Sequence, residues 1–194
     1  MSLLLLGVLA QAYRPKIRSG ALHTSLVIWS WFCVFFTIGE GFEPIFVILF
    51  LLLLGMAIVH PAGKEQLPDF SSFAVPLGYF TMAVAVVAFI VAGNEVLAHL
   101  TLADSHVMLG HYLFMATASA SVGTLLIRGS FTEHGWRFPL YAGVAIMLVF
   151  GLASITFPGA EQGSSAGRIL GVVVVVIAIL TASIAEGVSI LIFQ

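Results

Sequence analysis

Charged residues are what the 194-residue sequence has least of. Only 8% of its residues are charged, whereas about a quarter are charged in an average soluble domain. A protein this small exposes too much surface for so few charges to keep it in water. This scarcity, with a net charge of -2, also excludes a disordered chain and a nucleic-acid-binding protein. The single cysteine, Cys33, excludes an internal disulfide.

Apolar residues, in contrast, make up 60% of the chain, and the mean hydropathy is +1.13. A helix needs roughly 20 apolar residues to cross a hydrocarbon core about 30 Å thick. Glycine- and proline-containing breaks separate six such runs. The sequence therefore predicts an all-α, polytopic membrane bundle, a single transmembrane domain over residues 1–194. Its six predicted transmembrane helices are Leu22–Ile38, Ile45–Val59, Phe73–Val91, Leu109–Ile127, Phe138–Phe157 and Ile169–Phe193.

These helices pair into three predicted hairpins, at about residues 21–61, 73–128 and 137–194. In the N-terminal segment 1–20, the apolar part Ser2–Ala12 is too short to span, so we expect the segment to lie in the membrane interface or to dock on a partner, with Arg14, Lys16 and Arg18 at the headgroups. Six of the seven basic residues fall on one side of the predicted spans, and only Arg168 falls on the other. The positive-inside rule then predicts a plasma (inner) membrane protein with both termini in the cytoplasm.

A Gly-x-Glu tripeptide is expected to end the first helix of each hairpin. The three copies are Gly41–Glu43, Gly93–Glu95 and Gly159–Glu161. Their spacing suits a repeated hairpin unit. The alternative is that glycine simply ends helices and glutamate occupies turns, since a fourth copy, Gly63–Glu65, lies on the other side.

The last hairpin carries a resemblance. The stretches Gly135-Trp136-Arg137, Phe150-Gly151-Leu152-Ala153, Phe157-Pro158-Gly159-Ala160 and Leu170-Gly171 resemble a repeat of the HdeD-like family. Those are small bacterial membrane proteins of six helices in three hairpins, associated with acid stress. The resemblance implies that fold and a stress-related role, and it implies no known catalytic residues.

Four residues near the end of the third helix are candidate metal ligands. Glu95, His99 and His106 fall on one face of a helix over residues 94–106, and His111 follows. Imidazole and carboxylate ligands suit a divalent metal such as copper or zinc. The alternative is a helix at the membrane surface whose polar face meets water.

The same stretch is also similar to a segment of the C subunit of copper membrane monooxygenases, although the spacings differ. The similarity rests on Asn94-Glu95, His99 and His111-Tyr112.

Three glutamates are candidate ion or proton sites. Glu43 and Glu161 occupy matching outer turns, and with the histidines they are expected to form an acidic, pH-responsive outer mouth. Glu186 lies inside the sixth helix, where a charge is costly, so we expect a buried and mostly neutral carboxyl. The alternatives for Glu186 are a hydrogen bond to a neighbouring helix or extension toward the cytoplasm.

Motifs for catalysis are missing: the chain has no nucleophile elbow, P-loop or Cys-x-x-Cys. We therefore expect a non-enzymatic, stress-related or channel-like membrane protein. The alternative is an accessory membrane subunit of a larger respiratory or metal-dependent oxidising complex. The expected partners are the lipid bilayer and other membrane subunits or further copies of the chain, with no nucleic acid.

Overall fold

The helices of the protein follow the predicted apolar runs. A computed structural model describes residues 19–59, 70–132, 135–158 and 167–192, and its regular elements are all helical, as predicted. The predicted interfacial segment lies almost entirely outside these residues, and so does Glu161. The helices are α1 (Ser19–Glu40), α2 (Pro44–Val59), a 3₁₀ turn (Phe70–Ser72), α3 (Val75–Thr101), α4 (Ser105–Met108), α5 (His111–Gly129), α6 (Arg137–Thr156) and α7 (Gly167–Ile192).

Four of these helices are long and apolar enough to cross a bilayer. They are Gly20–Glu40, Val75–Thr101, Arg137–Thr156 and Gly167–Val188. The chain is therefore a multi-pass membrane protein with apolar helices against lipid. Two of the six predicted spans do not meet these criteria: α2 is apolar but has only 16 residues, and α5 is not among the four.

The lower hydropathy of α5 follows from its central place in the bundle. Twelve of its 19 residues are buried, against seven of the 27 in α3. A helix enclosed by protein does not need the apolar surface that lipid requires. Ala116, Ala120 and Gly123 give α5 a small-residue face, as predicted, and a Cβ on Gly123 would lie 3.0 Å from the Phe89 ring of α3.

The other helices surround α5. It packs most extensively on α3, then on α6 and α1, while α6 and α7 form a hairpin of their own. That hairpin crosses at two glycines, because a Cβ on Gly171 would lie 2.8 Å from the carbonyl oxygen of Gly151. Helix α2 packs mainly on α1 and buries only Leu53 and Ala57.

The bundle has two polar ends. We call one the arginine end, because Arg128 ends α5 and Arg137 begins α6 there. We call the other the histidine end, because it carries His99, His106 and His111. Apolar helix lies between the two ends.

At the arginine end, two backbone hydrogen bonds join the residues just before α3 to the residues just after α5. The N–H of Ala74, just before α3, donates to the carbonyl of Ser130, just after α5, at 3.0 Å. The N–H of Thr132 donates to the carbonyl of Ser72 at 2.9 Å. These bonds hold the first turn of α3 level with the last turn of α5.

The expected match between the first two Gly-x-Glu turns is wrong. Gly41 does lie in a turn, with φ at +95°, but Gly93 and Glu95 lie inside α3, which continues to Thr101. Glycine costs a helix only about 1 kcal/mol, and the buried side chains that follow Gly93 outweigh it. The third copy, Gly159–Glu161, lies outside the described residues.

Candidate functional site

His99 is a buried ionisable side chain at the histidine end. It lies in the last turn of α3 with only 5% of its side chain exposed. Its Nε2 lies 3.5 Å from Oε1 of Glu40, the last residue of α1, whose side chain is 48% exposed. Its Nδ1 is buried and has no hydrogen-bond partner among the described residues. The imidazole therefore faces α1 rather than lipid or water.

Gly39 makes this contact possible. A Cβ at that position would lie 2.9 Å from Cδ2 of His99 and 2.6 Å from Cδ1 of Leu113. Any larger residue would push α1 away from α3 and α5. The missing side chain thus allows the imidazole to lie directly against the end of α1.

Glu95 faces the bundle together with His99. It lies one helical turn earlier on α3 and is only 9% exposed. It is close enough to the Tyr112 hydroxyl of α5 to interact with it electrostatically. The alternative of a surface helix with a wet polar face is therefore wrong for Glu95 and His99, because α1 and α5 cover that side of α3.

Asp104 organises the corner between α3 and α5. Its carboxylate accepts hydrogen bonds from the backbone N–H groups of His106 and Val107, at 3.0 and 3.1 Å, and so caps α4. The Tyr112 hydroxyl donates to its other oxygen at 2.8 Å. The Tyr112 hydrogen bond, helped by these N–H groups and by the charge of His106, holds the pKa of Asp104 below its ordinary value of 3.8.

The two other histidines of this end, His106 and His111, lie next to each other at the same corner. The rings of His106 and His111 are 5.2 Å apart at an angle of 70°, and Nδ1 of His106 lies 3.8 Å from Asp104 Oδ2. In the part of the chain that the structure describes, no three His, Cys, Asp or Glu side chains are placed to hold one metal ion. The four candidate metal ligands, Glu95, His99, His106 and His111, are therefore not assembled into one site. The reason is that α3 ends at Thr101, so that His106 lies on α4 and not on the helix of His99.

Glu43 does not join this group. Its side chain is exposed in the turn between α1 and α2, and Glu40, almost one helical turn earlier, is the carboxylate that meets His99. Glu40 is not among the candidate site residues that the sequence indicates. The signal that could have identified it is Gly39, a small residue next to a carboxylate at the end of a helix.

Glu186 lies at the arginine end and is exposed on α7. The Tyr141 hydroxyl of α6 donates a hydrogen bond to its Oε1. The prediction of a buried carboxyl is wrong for this chain taken alone, because Glu186 lies on the exposed face of α7. The alternative, a hydrogen bond to a neighbouring helix, is confirmed.

Between the two ends, several polar groups form hydrogen bonds, whereas the buried Ser121 hydroxyl of α5 has no partner among the described residues. The hydroxyls of Thr117 and Thr181 each donate to a carbonyl one turn earlier in their own helix. Nε1 of Trp31 donates to the hydroxyl of Thr124 at 2.9 Å. A groove of about 130 Å³ between α3 and α7 is lined by apolar side chains and Ser119. At bilayer depth, the described interior is therefore mostly apolar.

The chain matches no protein-family model, no curated protein and no solved structure. Its function has to be inferred from the chemistry of its own residues.

Proposed function

We propose that the protein is a non-enzymatic, stress-related inner-membrane protein with six membrane-embedded helices, whose histidine end faces outward and responds to external acid. The observation that carries the proposal is the enclosed His99 imidazole, 3.5 Å from the Glu40 carboxylate on another helix. Histidine is the side chain whose charge ordinarily changes between pH 5 and 8. With both termini in the cytoplasm, the ends of α1 and α3 lie outside.

Protonation would change the contact between α1 and α3 in a definite direction. A neutral imidazole attracts the Glu40 carboxylate only weakly, whereas an imidazolium forms an ion pair with it. Both groups lie at helix C-termini, where the helix dipoles favour a cation and disfavour a lone carboxylate.

The size of this effect is modest, because Glu40 is half exposed. Exposed ion pairs contribute about 0.2–1 kcal/mol, and a cation in the last turn of a helix about 0.3–1 kcal/mol. The helix-dipole contribution acts within α3 and is the same in both states, so the ion pair alone gives up to about 1 kcal/mol, or up to about a fivefold shift between a loose and a closed α1–α3 contact. Acid should thus tighten this end of the bundle.

The stress-related role is favoured over the channel-like one. A channel needs polar groups along a path through the bilayer, whereas the groove at bilayer depth is lined by apolar side chains and one serine, Ser119. A response to acid also agrees with the acid-stress association that the resemblance to the HdeD-like family implies.

Amide hydrogen exchange at two pH values tests the proposal. After correction for intrinsic rates, the amides at the ends of α1 and α3 should exchange up to about fivefold more slowly at pH 5.5 than at pH 8. His99→Gln and Glu40→Gln should abolish the difference, and the matched control Glu43→Gln should keep it. A wild-type protein with equal protection at both pH values, or a difference that survives His99→Gln, would rule the proposal out.

A second candidate function is that of an accessory subunit in a larger membrane complex. The observation that favours it is α2, an apolar helix that packs mainly on α1 and leaves most of its side chains exposed. Purification in a mild detergent separates the two candidates. A defined assembly with other membrane proteins would support the subunit role, and a particle containing only this chain would exclude it.

A further inference from the structure

Helix α4 is a short and weakly buried part of the histidine end. None of its four described residues is buried. The chain passes from α4 into α5 at Gly110, whose φ of +61° glycine adopts without strain. On the α5 side, the Tyr112 hydroxyl donates to the Asp104 carboxylate, and the ring of His111 lies against that of His106. A segment with so little buried surface opens at a low free-energy cost.

The two histidines of this corner differ in what balances a positive charge. Nδ1 of His106 lies 3.8 Å from Oδ2 of Asp104, so a proton on His106 is paired with a carboxylate. Nε2 of His111 is buried and has no hydrogen-bond partner among the described residues. Burial, and then the charge of His106, lower the pKa of His111 from its ordinary value of 6.5. The first proton therefore goes to His106, and a second proton on His111 adds a like charge beside it.

The other ionisable groups near this corner are engaged elsewhere. They are Asp104 before α4, Glu95 and His99 on α3, Glu40 on α1 and Tyr112 on α5. Asp104 accepts hydrogen bonds from Tyr112 and from the backbone of α4, and Glu95 acts on the Tyr112 hydroxyl. His99 and Glu40 face each other across α3 and α1. Among the described residues, the charge that acts on His111 is therefore that of His106, which repels it.

We propose that α4 is a second acid-responsive element, which a proton on His111 releases from α5 by rotation about Gly110. The half-buried charge on His111 and its repulsion from the His106 imidazolium both disfavour the closed corner. Release of α4 brings the two imidazolium groups into water and away from each other. Acid thus acts on the histidine end in two directions, since it tightens α1 against α3 and loosens α4 from α5. The loosening depends on neither His99 nor Glu40.

The pH range of the release follows from the lowered pKa of His111. Because the open corner returns His111 to its ordinary pKa of 6.5, opening takes up a proton between that value and the lower one of the closed corner. The closed corner is therefore fully stable above this range and loses stability as the pH falls through it. The opening equilibrium rises by up to about tenfold for each pH unit, the limit for one proton. The pair of His106 with Asp104 opposes the release only weakly, because the Asp104 side chain is 41% exposed.

Imidazole titration by NMR in detergent micelles tests the coupling of the two histidines. His111 should titrate below the ordinary pKa of histidine in the wild type, and closer to it in His106→Gln, which removes the neighbouring charge. The matched control is His99→Gln, which should leave the titration of His111 unchanged because His99 lies against α1. If His106→Gln leaves the titration of His111 where it was, the proposed repulsion is absent.

Amide hydrogen exchange tests the release of α4 itself. After correction for intrinsic rates, the amides of residues 106–110 should exchange faster as the pH falls from about 6.5 to about 5, by up to about tenfold for each unit. His111→Gln cannot take up the proton and should abolish the increase, whereas His99→Gln should keep it. Equal or slower exchange of these amides in acid, or an increase that survives His111→Gln, would overturn the proposal. The α1–α3 contact is read from other amides and changes in the opposite direction, so the two proposals fail separately.

Discussion

Replacing Gly171 with alanine should loosen the hairpin of α6 and α7. A Cβ on Gly171 would lie 2.8 Å from the carbonyl oxygen of Gly151 and 2.8 Å from Cβ of Ser154. Heavy atoms in good contact are about 3.5 Å apart, so the two helices would have to separate by about 0.7 Å. The first of these neighbours is backbone, which cannot rotate away as a long side chain can.

The expected loss of stability follows from two opposing effects. Overpacking of this kind lowers the free energy of unfolding by about 1–3 kcal/mol, while replacing a helical glycine with alanine raises it by about 0.5–1 kcal/mol. The net destabilisation is then about 1–2 kcal/mol. For a chain of this size, each kcal/mol lowers the melting temperature by about 2–4 °C, so Gly171→Ala should melt about 2–8 °C lower.

Thermal unfolding in a mild detergent measures this loss. The control is Gly93→Ala, because Gly93 also lies in a helix but a Cβ there would meet nothing within 4 Å. That variant should melt at or above the wild-type temperature. If Gly171→Ala is as stable as the wild type while Gly93→Ala behaves as expected, the close crossing of α6 and α7 is refuted.

Three further predictions concern other parts of the chain. The pKa of Asp104 is lowered in the folded protein, so the stability that its carboxylate contributes should be complete above about pH 4 and lost as the pH falls further. Asp104→Asn or Tyr112→Phe should reduce this acid sensitivity in unfolding experiments. Trp31→Phe removes the hydrogen bond to Thr124 and should cost about 0.6–2 kcal/mol, measured by unfolding in detergent, with Thr124→Val giving a similar loss. A single cysteine at Phe42, which is 68% exposed in the turn after α1, should react with an impermeant maleimide added outside intact cells, and labelling only after lysis would reverse the proposed orientation.

The positions of the helices could be predicted because apolar runs and their breaks carry strong signals. Five of the six predicted spans begin and end within about three residues of the observed helices. The third does not: it was predicted to end at Val91 and continues to Thr101. Gly93, Asn94, Glu95 and His99 looked like the end of a membrane span. Hydropathy alone cannot show that neighbouring helices bury such residues.

The site could be predicted only in part, because its residues come from helices distant in sequence. Helical periodicity placed Glu95 and His99 on one face, and the structure agrees. It could not identify Glu40, because the contact across α1 and α3 depends on how these helices pack. Nor could it separate His106 from His99, since the chain turn at Asp104 moves His106 onto another helix.

The exposure of Glu186 also could not be predicted from the sequence. An acid within an apolar run is expected to face the interior, and only the packing of α7 on α6 shows which side is covered. The hydrogen bond from Tyr141 joins residues 45 positions apart, and no local pattern indicates it.

The unequal lengths of α3 and α5 set the depth of His99 in the membrane. The two helices are level at the arginine end, but α3 is about 40 Å long and α5 about 28 Å. With a hydrocarbon core of about 30 Å that begins at the arginine end, the last two turns of α3 would extend into the layer of lipid headgroups. Protons near a membrane surface follow the surface potential as well as the bulk pH, and a negative potential raises their local concentration. Anionic lipids around the protein should thus shift the proposed acid response toward higher bulk pH, so that lipid composition would help to set the pH of that response.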